Sequence, residues 1–203
     1  MKSEGDFNQN QYNANYLQYL ESNSEGKIGG TTVNERVQLF ERFVPKGRKV
    51  FEIGSGGGDE AIKLQESGYK VLASDYVPKF VDILKQKGLN AIEFDAKQDP
   101  IPAGFNAVYA NAVFVHFSPQ ELSDFLQRAR QALIGEKTVF MSVIKGEGHE
   151  RAARARGFER DFDYYSTEKL IDIVQKQGFD VLHTDDTDEK WIQAVITVHD
   201  DLK

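Results

Sequence analysis

From Lys49 onward, short apolar runs rich in β-branched residues alternate with segments of helical period, and this alternation constrains the chain more than any other feature. Val50–Ile53 reads as a buried strand closed by glycines. Glu60–Ser67 follows as a helix stopped by Gly68, and Val71–Ser74 as a second strand. Pro78–Lys87 reads as a helix that turns Phe80, Val81, Ile83 and Leu84 inward and ends at Gly88. Ala91–Phe94 and Phe105–Ala110 are the third and fourth strands, separated by the loop Asp99-Pro100-Ile101-Pro102. Ser118-Pro119-Gln120-Glu121 combines a capping serine, a proline suited to the first helical position and a glutamate that reaches back to the cap amide. The helix it starts lines one face with Leu122, Phe125, Leu126, Ala129 and Leu133, then stops at Gly135. Thr138–Ile144 is a fifth strand, whereas Lys145–Arg160 is polar, arginine-rich and without a clear period. A helix runs from near Ser166 to Gly178, and Phe179–His183 and Trp191–Val198 close the chain as a hairpin. The pattern predicts an α/β fold: a doubly wound, mainly parallel sheet of about seven strands with helices on both faces. The last two strands leave no room for a crossover helix, so the last strand should run antiparallel.

Upstream of Lys49 the period is helical. The first ten or so residues are expected to be mobile. Tyr12, Tyr16, Tyr19 and Leu20 then predict a short helix with one aromatic face, interrupted by Gly26, Gly29 and Gly30. Val33, Val37, Phe40 and Val44 carry a second stripe up to Pro45 and Gly47. The chain therefore divides into an N-terminal tail and cap helix over residues 1–33 and one α/β domain over 34–203. The absence of cysteine excludes disulfides, thiolate metal sites and cysteine nucleophiles. The histidines are scattered and no acidic pair has ligand spacing, so no metal is expected. A net charge of −7 gives no electrostatic reason to expect a nucleic acid partner. No apolar run approaches the roughly 20 residues of a membrane span. Met1 to Tyr12 lacks an apolar signal core, so a cytoplasmic protein is expected.

In an open sheet of this kind, ligands bind outside the carboxyl ends of the strands, where strand order reverses. After the first strand stands Glu52-Ile53-Gly54-Ser55-Gly56-Gly57-Gly58-Asp59, whose glycines let the backbone turn tightly and a ligand approach the main chain. The following helix N-terminus would attract an anion. Asp59 and Glu60 occupy its first turn, however, where they suit the dipole but repel a diphosphate. Glu52 suits a ligand carrying positive charge. Asp75 ends the second strand, in the place from which a carboxylate accepts from both ribose hydroxyls. Asp95 ends the third, placed for an adenine exocyclic amine, with the Ala96 amide beside it. Tyr76 and Phe94 are candidate walls, and Asn111 and Ala112 end the fourth strand on the same crevice. Together these residues point to a nucleoside that is cationic rather than polyphosphorylated.

In this order and spacing the chain resembles the class I S-adenosylmethionine-dependent methyltransferases. The matching pieces are Val50-Phe51-Glu52-Ile53-Gly54-Ser55-Gly56-Gly57-Gly58, Ala73-Ser74-Asp75, Phe94-Asp95-Ala96, Phe105-Asn106-Ala107-Val108 and the His116-Phe117-Ser118-Pro119 helix entry. Tyr165-Ser166-Thr167-Glu168 and Gly178-Phe179-Asp180-Val181 continue the likeness, which runs from about Asn34 to Val198. The resemblance implies a Rossmann-like fold and S-adenosyl-L-methionine as cofactor. It also implies that Glu52 and the backbone of Gly54, Ser55, Gly56 and Gly58 hold the methionine part, Asp75 the ribose, Asp95 and Ala96 the adenine, and the Asn111 region the methionine amine. Asn106 departs from the family, which usually has Asp there.

On the acceptor side, His116 is the candidate general base, against the alternative that it packs or caps. Tyr12, Tyr16 and Phe114 are candidate aromatic faces for a sulfonium. His149, Arg151, Arg154, Arg156 and Arg160 lie where the family builds its substrate lid and suit an acidic or phosphorylated substrate. Glu147, Glu150 and Glu159 are interleaved among them, which favours a solvated segment. Tyr16, His149, Arg154 and Tyr165 are the candidate substrate contacts, although the adjacent Tyr164 and Tyr165 also suit a core plug. The reading is a methyltransferase acting on a small molecule by in-line displacement. A non-catalytic cofactor-binding module and an NAD-dependent oxidoreductase on a similar sheet are the alternatives.

Overall fold

The computed structural model describes residues 6–22, 31–154 and 157–198; Met1–Gly5, Gly26, Gly29, Gly30 and Arg156 lie outside them. Its frame is five parallel strands: β1 (Lys49–Ile53), β2 (Lys70–Asp75), β3 (Ala91–Glu93), β4 (Ala107–Ala110) and β5 (Thr138–Lys145). They lie in the order β3-β2-β1-β4-β5, so strand order reverses between β1 and β4. The chain's last strands extend this frame. β6 (His149–Ala152) and β7 (Arg160–Tyr165) form a hairpin joined to the end of β5, while β8 (Phe179–Asp185) pairs with β9 (Trp191–Val198). β9 is inserted antiparallel against β5, from Thr138 opposite Thr197 to Ile144 opposite Trp191. The expected seven strands are therefore present with the last one antiparallel, and β6 and β7 are additional.

That additional hairpin occupies the segment whose sequence shows no period. Its ladder is stabilised by charge across the strands rather than by apolar alternation. Arg151 stands opposite Asp161 and donates to both its carboxylate oxygens at 2.7 and 2.9 Å, and His149 stands opposite Asp163 at 3.2 Å.

Strand alternation sends successive side chains to two cores. Val50, Ala107, Tyr109 and Phe140 pack under α3 (Val33–Glu41), α4 (Asp59–Glu66) and α5 (Pro78–Gln86). Phe51, Ile53, Val108, Ala110 and Met141 pack under α6 (Pro119–Ala132) and α7 (Thr167–Lys176). α6 begins with the capping box read from its sequence: the Glu121 amide donates to Ser118 Oγ at 3.3 Å and the Ser118 amide to Glu121 Oε2 at 2.7 Å.

The N-terminal segment departs from expectation. Residues 6–22 are structured: α1 (Phe7–Ala14) and α2 (Tyr16–Ser22) replace a single helix and the later part of the expected mobile start. Asp6 caps α1 by accepting from the amides of Asn8 at 2.8 Å and Gln9 at 3.3 Å. Asn8, buried, extends the hairpin: its amide donates to the Asp161 carbonyl at 3.3 Å and its Oδ1 accepts the Asp161 amide at 2.7 Å. One side chain thus supplies both bonds of a strand partner and fastens α1 against β7.

Candidate active site

A cavity of about 890 Å³ opens at the carboxyl ends of the parallel strands, across the β1–β4 reversal. Its floor comes from Glu52 and the Gly54–Gly58 loop, from Asp75 and Tyr76 after β2, and from Phe94, Asp95 and Ala96 after β3. Asn111, Ala112 and Val113 after β4 continue it, and Ile144, Arg154, Arg160, Phe162, Lys190 and Trp191 form the far end. Tyr12, Tyr19 and Leu20 of α1 and α2 line it from the N-terminal side.

Two buried carboxylates dominate the floor. Glu52 is 2% exposed and accepts from Ser55 Oγ at 2.7 Å; among the described residues no cation pairs with it. Burial pushes its carboxyl well above the usual range, and the neighbouring Glu60 charge pushes it further. Asp75, 4% exposed, accepts the Gly56 amide at 3.0 Å and the Val77 amide at 2.9 Å. Burial raises its pKa to about 6 even against those two hydrogen bonds. A ligand bringing a cation to Glu52 and hydroxyl donors to Asp75 would offset both penalties. The donor set therefore fits an adenosyl group carrying an ammonium and a sulfonium.

The glycines answer to packing as well as to a ligand. Gly54 has φ +67°, and a Cβ there would stand 2.5 Å from Val113 Cγ2, so the loop touches β4's continuation directly. At Gly58, φ +90°, a Cβ would meet Leu84 at 2.8 Å and Leu89 at 2.9 Å. Gly56 donates its amide to Asp75 and faces the Tyr19 ring, 3.1 Å from where a Cβ would be.

The first-turn acids also differ from expectation. Glu60 does not present a free charge to the cavity: Arg36 of α3, 1% exposed, pairs with it at 2.5 Å. Asp59 stands 3.8 Å from Lys87. Their repulsion of a diphosphate is correspondingly weakened, which leaves Glu52 as the buried carboxylate on the floor with no paired cation among the described residues. Glu60 instead positions Asn111, which donates to it at 2.9 Å and accepts from Ser142 Oγ at 2.6 Å. Ala112, next along, takes φ +55° and donates its amide to Ser142 Oγ at 2.8 Å, a strained turn held in place by a buried serine. Asp95 accepts from the Lys97 amide at 2.9 Å and Gln98 Nε2 at 3.1 Å, so its own loop already shares its carboxylate.

His116 is buried, with Nδ1 2.6 Å from the Asp161 carbonyl and Nε2 3.0 Å from the Tyr12 hydroxyl. A carbonyl only accepts, so Nδ1 carries the proton and Nε2 accepts from Tyr12. Burial lowers the pKa to about 4, helped by the charges of Arg160 and Lys97. Tyr12 packs edge-on to His116, Phe158, Phe80 and Tyr76 and closes the cavity over them.

The candidate acceptor contacts separate. Arg154 lines the cavity, stacked over Phe162 at 4.6 Å. Tyr16, His149 and Tyr165 are absent from its lining. Tyr16 lies under Lys79 at 5.4 Å, and His149 sits exposed on the hairpin between Asp161 and Asp163. Tyr165 is fully buried and donates to the Phe117 carbonyl at 2.5 Å, as a core plug would. Phe114 is likewise core. Sequence reasoning left out Arg36, although it falls on the same helical face as Val33 and Phe40, where a charge calls for a buried partner. It also left Lys190 and Trp191 unplaced, which only tertiary contact brings to the cavity; of the lid arginines it named, Arg154 and Arg160 line it.

Residues 50–134 match a family model described as a methyltransferase domain. No curated protein sequence matches the chain. Among solved structures, magnesium protoporphyrin IX methyltransferase from Synechocystis, with S-adenosylhomocysteine bound, is similar with a TM-score of 0.72 at 15% identity, over 94% of this chain and 97% of that one. A Burkholderia thailandensis 1,6-didemethyltoxoflavin N1-methyltransferase, bound to 1,6-didemethyltoxoflavin and S-adenosylhomocysteine, gives 0.70 at 14% identity, over 98% and 94%. A TehB-like methyltransferase from Corynebacterium glutamicum gives 0.68 at 17% identity, over 92% and 98%. At such identities the structural likeness establishes the fold: the Rossmann-like sheet of a methyltransferase, with helices on both faces. With the family model, residues 50–134 form a methyltransferase domain on this sheet, and S-adenosylmethionine is the methyl donor such a domain uses.

Proposed function

We propose that the enzyme methylates a small molecule held inside the cavity, beside a cofactor seated on Glu52 and Asp75. The observation that carries this reading is the pairing of those two buried carboxylates with a cover made by α1 and α2, which leaves room for a metabolite rather than a polymer. The Burkholderia neighbour, bound to 1,6-didemethyltoxoflavin, supports the same class of substrate.

Glu52, held by Ser55, faces the positive charge of the methionine part, and Asp75 accepts from the ribose hydroxyls while its second task is to hold the Gly56 amide. Asp95, Ala96 and Tyr76 border the adenine, and Asn111 and Ala112 the methionine amine. When bound, S-adenosylmethionine supplies a methyl group on a sulfonium, which an acceptor lone pair displaces in line. The protein contributes alignment and exclusion of water, and both can account for much of the barrier. His116 is a weak base at a pKa of about 4; we read it as positioning Tyr12, whose ring closes the cavity, rather than as taking the acceptor's proton.

The test uses the full chain, S-adenosylmethionine labelled in its methyl group, and a fractionated cell extract. Label should appear in the small-molecule fraction. Label in protein or nucleic acid alone would overturn the acceptor class, and binding of S-adenosylhomocysteine without any transfer would reduce the chain to a binding module.

A further inference from the structure

The two ends of the cavity differ in charge. Glu52, Asp59, Glu60 and Asp75 surround the glycine loop, whereas Arg154, Arg160 and Lys190 line the end built by the β6–β7 hairpin and the start of β9. Arg154 is already engaged by Glu150 at 3.0 Å. Arg160 is not. It is 3% exposed, yet among the described residues no carboxylate pairs with it. One terminal nitrogen donates to the Tyr12 hydroxyl at 3.3 Å, the other to the Ala153 carbonyl at 3.1 Å, and Nε–H has no partner. The rings of Phe158, Phe162 and Tyr12 surround the guanidinium with centroids at 4.6, 5.0 and 5.6 Å.

Aromatic faces hold a cation in place but neither neutralise it nor accept its in-plane N–H groups. The adjacent Asp161 cannot serve, because its carboxylate is taken by Arg151 on the other side of the hairpin. A buried guanidinium with unspent donors on a cavity wall is matched in charge and geometry by carboxylate or phosphate oxygens. We propose that the methyl acceptor carries an anionic oxygen group and that Arg160 is the residue that receives it. The inference rests on the cavity being a methyltransferase site and adds the charge of its substrate.

The probes are acetate, benzoate and inorganic phosphate, with acetamide and benzamide as neutral counterparts, titrated calorimetrically into the full chain saturated with S-adenosylhomocysteine. At least one anion should bind while its neutral counterpart does not, and whether phosphate or the carboxylates bind decides between the two oxygen groups. Arg160→Met should weaken that anion by about thirtyfold or more, as removal of one partner of a buried charged pair does. Arg160→Lys, which keeps the charge but loses the planar fork, should fall between. S-adenosylhomocysteine affinity should stay within about twofold, since the two ends of the cavity do not share partners. Equal binding of anions and neutral counterparts, no binding by any anion at millimolar concentration, or wild-type anion affinity in Arg160→Met would overturn the proposal. Should Arg160→Met fail to fold, the wild-type contrast and Arg160→Lys still decide. Failure of S-adenosylhomocysteine to bind would instead strike the cofactor reading, and the anion titrations of the cofactor-free chain would then judge Arg160 alone.

Discussion

Asp75→Asn separates what the carboxylate costs the fold from what it gives the cofactor. In the free protein its pKa stands at about 6 against an ordinary 3.8, because burial outweighs the Gly56 and Val77 amides. A raised carboxyl pKa means that the native state binds the proton more tightly than the unfolded chain. Stability is therefore greatest below the ordinary value and is lost as pH rises through the folded value. At about 1.36 kcal/mol per pH unit, the full difference is worth about 3 kcal/mol, of which wild type should lose roughly 2 kcal/mol between pH 4 and pH 7 relative to a variant without the titrating group. Asparagine also gives up one of the two amide acceptors, a penalty of about 1–3 kcal/mol that is independent of pH. Near neutrality the two effects oppose, so Asp75→Asn should lie within about 2 kcal/mol of wild type there and be clearly less stable at pH 4. Its affinity for S-adenosylhomocysteine at pH 7.5 should still fall by roughly 1–3 kcal/mol, because asparagine replaces one acceptor oxygen by an NH2 donor and loses the charge that strengthens the bonds from the ribose hydroxyls. Urea denaturation of both proteins across this pH range, with calorimetry of the ligand, reads both quantities. A stability difference that does not move with pH would refute the assignment of a buried, destabilising charge; unchanged affinity would remove Asp75 from the ribose.

Other consequences follow from the same site. His116, with its pKa near 4, contributes in the opposite sense: its stability is present above the ordinary 6.5 and is lost as pH falls toward 4. Its ring proton resonances should be flat from pH 5.5 to 8, and a midpoint near 6.5 would show that the imidazole is not buried against Tyr12 and Asp161. Glu60→Ala removes the carboxylate that pairs with the buried Arg36 and should cost about 3–5 kcal/mol in thermal or chemical denaturation; a loss near zero would mean the pair is solvated. Gly54→Ala combines a positive φ with a contact at 2.5 Å to Val113 and should destabilise by roughly 2–5 kcal/mol. A variant as stable as wild type would show that the glycine is needed only for ligand approach.

The architecture was legible because the frame is written in local terms. Strand residues such as Val50–Ile53, the glycine stops at Gly68, Gly88 and Gly135, and the Ser118–Glu121 box each act over a few positions. The floor of the cavity was legible for a related reason: in a parallel sheet, residues that end strands share one crevice whatever the helices do. What escaped depends on pairing between distant segments. The β6–β7 hairpin is invisible to an apolar-period search because Arg151 and Asp161 recognise each other by charge. Asn8 gives no sign in sequence that its amide will complete the Asp161 backbone. The candidate acceptor residues Tyr16, His149 and Tyr165 belong to the right elements, but which face each presents is set by α1 docking and hairpin twist. Arg160, in the same segment, was turned inward by the alternation that turned Asp161 out.

A crystal structure of the full chain with S-adenosylhomocysteine tests the central claim most directly. The ribose hydroxyls should lie within hydrogen-bond distance of Asp75, with the amino group of the homocysteine on the Glu52 side of the glycine loop. Density for the ligand anywhere else, or a cavity that closes on Tyr12 and Tyr19 and excludes it, would contradict the account.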